Sequence, residues 1–92
     1  MEYYKTDYGW ALGEEGQPPL GKIVVSENSA SHLVIEHTEV DPSLQGRGHA
    51  RQLVMLVVSE ARSEGKLIVP RCPYSARLLG RDSELMALIA QS

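Results

Sequence analysis

The sequence is poor in cysteine and has no long apolar run, internal repeat or low-complexity segment. Its one thiol, Cys72, cannot form an internal disulfide, and no charged-then-apolar leader opens the chain, so we expect a reducing, cytoplasmic environment. The longest apolar run, residues 53–58, is far shorter than the roughly 20 residues that a membrane-spanning helix requires. These absences exclude an internal disulfide framework and argue against a membrane span.

The length of 92 residues predicts one domain, residues 1–92, with a modest core. A chain of this size buries roughly 60 to 65% of the surface that its unfolded form exposes. Apolar residues make up 42% of the sequence, and charges of both signs are spread along it rather than gathered in tails. This composition is typical of a globular chain and argues against disorder.

The net charge of −3 conceals an asymmetry between the two parts of the chain. Residues 1–44 carry two lysines against eight acidic residues, whereas residues 45–92 carry seven basic against four acidic residues. A basic second half suits a phosphate-bearing ligand, and an acidic first half suits a cationic amine and gives nucleic acid little to bind. The alternative is that the surface charges are distributed this way without functional meaning.

Three strands are predicted in the first part of the chain. Tyr8, Trp10 and Leu12 alternate with smaller or polar residues, as in a strand with one buried face. The short β-branched segment 21–25 and the longer segment 33–40 have the composition of further strands. Turn residues fill both gaps, which are too short for a crossover helix, so we expect an antiparallel meander with connections at 13–19 and 26–31.

From Ala50 onwards, the spacing of the apolar residues changes to that of an amphipathic helix. Its apolar stripe consists of Ala50, Leu53, Val54, Val57, Val58 and Ala61. Gly65 stands where a left-handed helix stop is expected, and residues 66–69 form a short strand before Pro70. Because strand-helix-strand crossovers are right-handed, this strand should lie parallel to strand 33–40. Two short helices, 74–79 and 83–90, should follow, separated by Gly80, and Ser83 should cap the start of the second one. The predicted fold is α+β with a mixed sheet.

A glycine-rich loop precedes the amphipathic helix, with the sequence Gln45-Gly46-Arg47-Gly48-His49-Ala50. Its glycines allow close approach of the backbone to an anion, and the first helical amides have no partner within the helix. The alternative is a loop that only connects two elements. Micromolar affinity requires about 8 kcal/mol, and a helix terminus supplies at most ~2 kcal/mol. Further binding must come from the edge of the adjacent strand and from Arg47, Arg51 or Arg77.

Several motifs together resemble the GCN5-related N-acetyltransferase superfamily. Gln45, Gly48 and Ala50 match its cofactor motif. The segments that resemble its small, minimal branch are His37-Thr38-Glu39-Val40, Leu44 to Ala50, Leu53-Val54 and Pro70-Arg71-Cys72-Pro73-Tyr74. The likeness extends from about Tyr8 to the C-terminus.

The resemblance implies a single minimal N-acetyltransferase domain that binds acetyl-CoA. Strands 33–40 and 66–69 would splay apart, and the pantetheine arm would enter the gap. The residues implied in binding coenzyme A are Thr38, Glu39, Val40, Gln45, Gly46, Arg47, Gly48, His49, Ala50 and Arg51. The helices that shape the acceptor site in larger relatives have no room between Leu12 and Leu20, so the acceptor does not follow from the resemblance.

Acyl transfer to an amine requires a base, an oxyanion donor and a proton for the leaving thiolate. His37 is favoured over Glu36 and Glu39 as the base because an unperturbed histidine titrates near neutrality, although it could be purely structural. Cys72, at a helix start beside Arg71, is a candidate nucleophile or a buried structural thiol.

Tyr74 is a candidate general acid for the leaving thiolate, as tyrosines in this region are in larger relatives, or it packs against the helix. We favour direct attack by a primary amine over a relay through Cys72. The acceptor would be a small-molecule or peptide amine, with no nucleic-acid or membrane partner and no metal. One exposed strand edge is compatible with a monomer or a weak homodimer. The alternatives are a non-catalytic acyl-CoA-binding or sensing module and a cofactor-free protein-interaction domain.

Overall fold

A five-stranded mixed sheet organises the computed structural model, which describes residues 1–90. The strands are β1 Glu2–Thr6, β2 Gly9–Gly13, β3 Gly21–Ser29, β4 His32–Val40 and β5 Leu67–Pro70. The helices are α1 His49–Glu64, α2 Pro73–Leu79 and α3 Ser83–Met86, with a 3-10 turn at Pro42–Leu44. The strands lie in the sheet in chain order. Each of the first four strands is antiparallel to its neighbours among them, and β5 is parallel to β4. This confirms the predicted α+β class.

The first strand, β1, was not predicted, because its residues Glu2–Thr6 lack the alternation of apolar side chains. It pairs antiparallel with β2 along its whole length, from Glu2 opposite Gly13 to Thr6 opposite Gly9. Tyr8, predicted to lie in a strand, belongs to the turn between them. Gly9 is required there, since a Cβ at this position would meet the Ile23 carbonyl oxygen at 2.2 Å. The antiparallel part of the sheet therefore has four strands instead of three.

The hairpin between β3 and β4 is longer than predicted. The polar segment 26–31 was expected to be a turn, but the strands pair as far as Ser29 opposite His32, and the turn is confined to residues 30–31. Cross-strand pairing therefore overrides the turn preference of this segment.

One extra residue in β4 determines which side chains face α1. Val24 pairs with His37 and Val25 pairs with Ile35, so Glu36 is bulged out of the ladder. A bulge of one residue exchanges the two faces for everything beyond it. Thr38 consequently lies opposite Ile23, a core residue that packs with α1. His37 therefore faces the other side of the sheet.

The amphipathic helix α1 is confirmed and covers one face of the sheet. Its buried stripe consists of Leu53, Val54, Val57, Val58 and Ala61, which pack against Ile23, Leu33, Ile35 and Ile68. The helix ends at Gly65 in a left-handed conformation with φ 67°, and the Gly65 amide donates to Ala61 and Arg62. Within residues 1–90, no helix has the length and apolar character needed to cross a membrane.

The parallel strands β4 and β5 separate after a short pairing, as the predicted splay requires. They pair from His32 opposite Leu67 to Ile35 opposite Pro70. The next two amides, those of Arg71 and Cys72, both donate to the Ile35 carbonyl at 3.1 Å. Within the described residues, no strand pairs with this edge of β4 beyond that point.

The C-terminal helix α3 is shorter than the predicted helix 83–90. Its cap is Asp82, whose carboxylate accepts from the Glu84 amide at 2.8 Å, so the prediction of Ser83 as the cap was wrong. The chain leaves the helix after Met86, and Ile89 forms a parallel bridge with Ile68 of β5. Pairing with the exposed edge of β5 replaces the last predicted helical turn.

Candidate functional site

A groove of about 500 Å³ lies between the second half of β4, the glycine-rich loop and the starts of α1 and α2. It is lined by Thr38, Glu39, Val40, Leu44, Gln45, Gly46, Gly48, His49, Ala50, Arg51 and Tyr74. Nine of the ten residues predicted to bind coenzyme A are in this set, and Arg47 is not. The fold therefore brings the edge of β4 and the start of α1 together on one surface.

The loop enters α1 through two glycines in the left-handed region. Gly46 has φ 81° and Gly48 has φ 84°, and a Cβ added to either would meet no protein atom within 4 Å. Glycine is needed here for its backbone conformation, and the space beside it belongs to the groove. Side chains at these positions would strain the loop and fill space beside the amides.

The first turn of α1 has no internal partner for its amides. The first helical hydrogen bond runs from the Gln52 amide to the Gly48 carbonyl at 3.0 Å. Within residues 1–90, the amides of His49, Ala50 and Arg51 donate to no protein acceptor, and no side chain caps the helix. The first turn also lacks acidic residues. Free amides and the positive end of the helix dipole make this start attractive to an anion.

Gln45, a motif residue, ties the loop to the strand. Its side-chain Nε2 donates to the Val40 carbonyl at 3.3 Å. The intervening 3-10 turn is capped by Asp41, which accepts from the Ser43 hydroxyl at 2.7 Å and from the Ser43 amide at 3.0 Å. Both hydrogen bonds lower the pKa of Asp41. These contacts hold the glycines beside the end of β4, and sequence reasoning had given Asp41 no role in the site.

A buried thiol, that of Cys72, lies beside the groove residue Tyr74 but does not itself line the groove. Cys72 is the N-cap residue of α2 and is only 6% exposed. Burial acts to raise the pKa of the Cys72 thiol, but the proximity of the Ser75 amide and the Thr38 hydroxyl, which favour the thiolate, outweighs it. The Tyr74 amide adds to this effect, so the pKa lies below its ordinary value of 9.0. The Ser75 hydroxyl donates its proton to the Cys72 carbonyl at 2.8 Å.

Thr38 faces this thiol from the free edge of β4. Its Oγ1 is buried and, among residues 1–90, makes no hydrogen bond of regular geometry. The weak interaction with the Cys72 sulfur is therefore the one that it contributes to the site. A buried hydroxyl without a strong partner is costly, and such atoms usually mark a place where a ligand or water completes the bonding.

His37, the predicted base, lies apart from the groove. Its side chain is 57% exposed, and Nε2 is 3.2 Å from the Glu39 carboxylate on the face of the sheet opposite α1. Hydrogen bonding to His37 and then to Lys22 lowers the pKa of Glu39. Glu36, at the bulge, accepts from the Ser26 hydroxyl at 2.6 Å and lies 3.7 Å from Arg71. The three candidate bases on β4 are thus already engaged with protein groups.

Comparison with known proteins agrees with this geometry. The family model for GCN5-related N-acetyl-transferases matches residues 9–88. The chain belongs to the GCN5-related N-acetyltransferase family. The NMR solution structure of a GCN5-like candidate N-acetyltransferase from Staphylococcus aureus matches with a TM-score of 0.81 and 21% sequence identity. That match covers 99% of this chain and 89% of the other, and at this identity it shows the fold alone. No curated protein sequence matches the chain.

The groove has the chemical features that the family's coenzyme A requires. A pyrophosphate needs several donors and no opposing carboxylate, and the uncapped start of α1 offers free amides with Arg51 beside them. An amide-bearing arm needs an unpaired strand edge, and β4 beyond Ile35 has one. Glu39 is the one acidic residue in the lining, and Lys22 lies 3.5 Å from its carboxylate. The residues present therefore fit the cofactor.

Two groove features had no sequence signal. The orientation of Thr38 depends on the bulge at Glu36, which a count of alternating residues cannot locate. Tyr3 of β1 hydrogen-bonds His49 at 2.8 Å across 46 positions of sequence, a contact that only the tertiary fold creates.

Proposed function

We propose that this chain binds acetyl-CoA in the groove and transfers the acetyl group to an amine. One observation carries the proposal: the free amides at the start of α1 and the free edge of β4 line a single groove. The buried Cys72 thiol borders that groove through its neighbours Thr38 and Tyr74. A phosphate-binding end, an amide-binding edge and a reactive end occur in the order that a long thioester ligand requires.

The binding roles follow from the donors and acceptors on each wall. The amides of His49, Ala50 and Arg51 hold the pyrophosphate, and the Arg51 side chain adds a positive charge. The backbone of β4 from Thr38 to Val40 hydrogen-bonds the amides of the pantetheine arm, as a strand would. The bound cofactor supplies an acetyl group activated as a thioester.

Two routes for transfer differ in the role of Cys72. In direct transfer, which we favour, a neutral amine attacks the acetyl carbon, the C–S bond breaks, and Tyr74 donates its proton to the departing sulfur. The proton that the amine nitrogen loses passes through solvent water and restores Tyr74. In a relay, the Cys72 thiolate first takes the acetyl group from CoA, and Tyr74 protonates the departing CoA sulfur. The acetyl group then passes from the Cys72 sulfur to the amine. The lowered pKa of Cys72 supports the relay, and the burial of its thiol supports direct transfer.

Isothermal titration of the chain with acetyl-CoA, desulfo-CoA and dephospho-CoA tests the binding part of the proposal. Saturable micromolar binding that weakens when a phosphate is removed is the expected result. No heat and no thermal stabilisation at millimolar ligand would overturn it and favour an interaction domain without cofactor.

Turnover separates an enzyme from a non-catalytic binding module. Release of free CoA should be measured against panels of polyamines, aminoglycosides and peptides with free amines. Binding without release for any amine would favour the sensing module. Loss of release in Cys72→Ala with binding intact would support the relay, and unchanged release would leave direct transfer.

A further inference from the structure

A hydrogen bond from β1 reaches the first residue of α1. The Tyr3 hydroxyl oxygen lies 2.8 Å from His49 Nδ1, and the two ring centroids are 6.1 Å apart at an angle of 51°. His49 lines the groove, whereas no residue of β1 does. The strand that the sequence did not predict therefore contacts the site through one side chain.

The direction of this hydrogen bond follows from the single proton of the phenol. Burial raises the pKa of Tyr3, so its hydroxyl stays protonated in neutral solution. Within residues 1–90, that hydroxyl has no side-chain partner other than His49. A partly buried donor without an acceptor is costly, so the phenol donates to Nδ1. The neutral imidazole then carries its own proton on Nε2, because the bond made by one ring nitrogen determines the state of the other.

We propose that Tyr3 is a positioning residue that fixes His49 as the Nε2–H tautomer, so that the ring adds a donor for the pyrophosphate of coenzyme A. This inference rests on the proposed function and goes beyond it. His49 is the first residue of α1, next to the free amides of Ala50 and Arg51. Among the described residues, Nε2 of His49 has no protein partner. A ring held at Nδ1 offers that remaining donor with little loss of side-chain freedom on binding.

The tautomer can be measured without any ligand. In ¹⁵N NMR spectra of the whole chain at a pH where the ring is neutral, His49 should show an unprotonated Nδ1 and a protonated Nε2. The signals are assigned by their loss in His49→Gln. In Tyr3→Phe the two tautomers should interconvert and the nitrogen shifts should move towards each other. A wild-type ring protonated on Nδ1 would overturn the proposal.

Binding of CoA supplies the second measurement. Tyr3→Phe should weaken CoA binding by about threefold to tenfold, because the His49 ring is no longer held in the donating tautomer and part of one hydrogen bond to a charged group is lost. In a His49→Ala background, Tyr3→Phe should have no further effect, because Tyr3 acts through the ring. Pantetheine, which lacks the pyrophosphate, should bind wild type and Tyr3→Phe equally.

Tyr4→Phe is the matched control, because it makes the same chemical change on the neighbouring residue of the same strand. Within residues 1–90 the Tyr4 hydroxyl makes no hydrogen bond, so this variant should bind CoA like wild type. If wild type itself fails to bind CoA, both this proposal and the proposed function fail. If wild type binds and Tyr3→Phe binds equally well, or its penalty persists in His49→Ala, only this inference fails.

Discussion

Two helices begin at the groove, and they use the amides of their first turns differently. The amides of His49, Ala50 and Arg51 at the start of α1 remain open to solution. At the start of α2, the Cys72 sulfur accepts no hydrogen bond of regular geometry from residues 1–90, but the nearby amides of Ser75 and Tyr74 lower the pKa of its thiol. Neither helix has a conventional side-chain cap.

The positive potential at a helix start therefore has a different effect in each of the two helices. A helix start with free amides can bind an anion from solution, whereas a helix start with a thiol at its N-cap residue stabilises the negative charge of that thiol. Under the proposed function, the first arrangement serves binding of CoA and the second serves the transfer of the acetyl group. Changes at the α1 start should alter affinity for CoA, and changes around α2 should alter the thiol without altering that affinity.

The largest expected effect is that of Gly48→Ala. A Cβ at φ 84° strains the loop and occupies groove space beside the free amides, so we expect CoA binding to weaken by about 30-fold. Titration calorimetry measures this loss. Thermal unfolding should show a cost of about 1 kcal/mol from the left-handed backbone.

Gly65→Ala is the matched control at the other end of α1. Gly65 is also left-handed, with φ 67° and open space around a Cβ, but its end of the helix is closed by hydrogen bonds to Ala61 and Arg62. Its stability should fall by a similar amount, about 1 kcal/mol, with CoA affinity unchanged. Equal binding losses in the two variants would show that the loss reflects stability alone.

A smaller effect is expected from Arg51→Glu. Arg51 lines the groove in the first turn of α1, so reversing its charge should weaken CoA binding by about tenfold. In the ligand-free protein the same change should raise stability by about 0.3–1 kcal/mol, because an acidic residue favours a helix start. The stability measured by chemical denaturation should thus rise, while the CoA affinity measured by titration falls.

Arg62→Glu is the corresponding change in the last turn of the helix. Arg62 is exposed and distant from the groove lining, so CoA affinity should stay the same. Stability should fall by about 0.3–1 kcal/mol, since a negative charge opposes the dipole at a helix end. A matching loss of affinity would indicate that net charge, rather than the α1 start, attracts the ligand.

Inorganic pyrophosphate should give a still smaller effect. At a concentration equal to its dissociation constant, an anion bound only to the folded state adds about 0.4 kcal/mol, or roughly 2–3 °C in Tm. Differential scanning fluorimetry should show this shift for wild type and Gly65→Ala but not for Gly48→Ala. A uniform shift in all three would mean that the anion does not bind at the α1 start.

The α1 start could be predicted from sequence because its signals are local. The helical period, the glycines of the loop and Gly65 all act within a few residues of their own position. The same holds for the parallel pairing of β5, since a short strand after a helix has few permitted topologies. Nine of the ten binding residues that the family resemblance implied also line the groove.

Cys72 and Tyr74 were candidates from the sequence, but the orientation of the side chains around Cys72 could not be predicted, because it depends on long-range geometry. A count of alternating residues places His37 on the same face as Leu33 and Ile35, but the bulge at Glu36 turns Thr38 towards Cys72 instead. Strand β1 depends on pairing with β2 and on contacts with α1, such as the bond from Lys5 to Glu60 at 2.7 Å. Neither feature has a local pattern.

The smallest expected effect is a change in the titration of Cys72. In wild type, the thiolate absorbance should titrate below the ordinary thiol pKa of 9.0. Thr38→Val removes a hydroxyl that favours the thiolate, so the titration should move to higher pH. Tyr74→Phe is the control, since it keeps the backbone amide of residue 74 and removes only the phenol.

The sign of the matching stability effect follows from linkage. A thiol whose pKa is lowered in the folded state stabilises the fold above its unfolded pKa, and this contribution is lost as pH falls through the folded pKa. The stability of wild type relative to Cys72→Ala should therefore increase as pH rises towards 9.0, and less so in the Thr38→Val background. A difference that does not change with pH would mean that the α2 start does not favour the thiolate, and the contrast between the two helix starts would then rest on α1 alone.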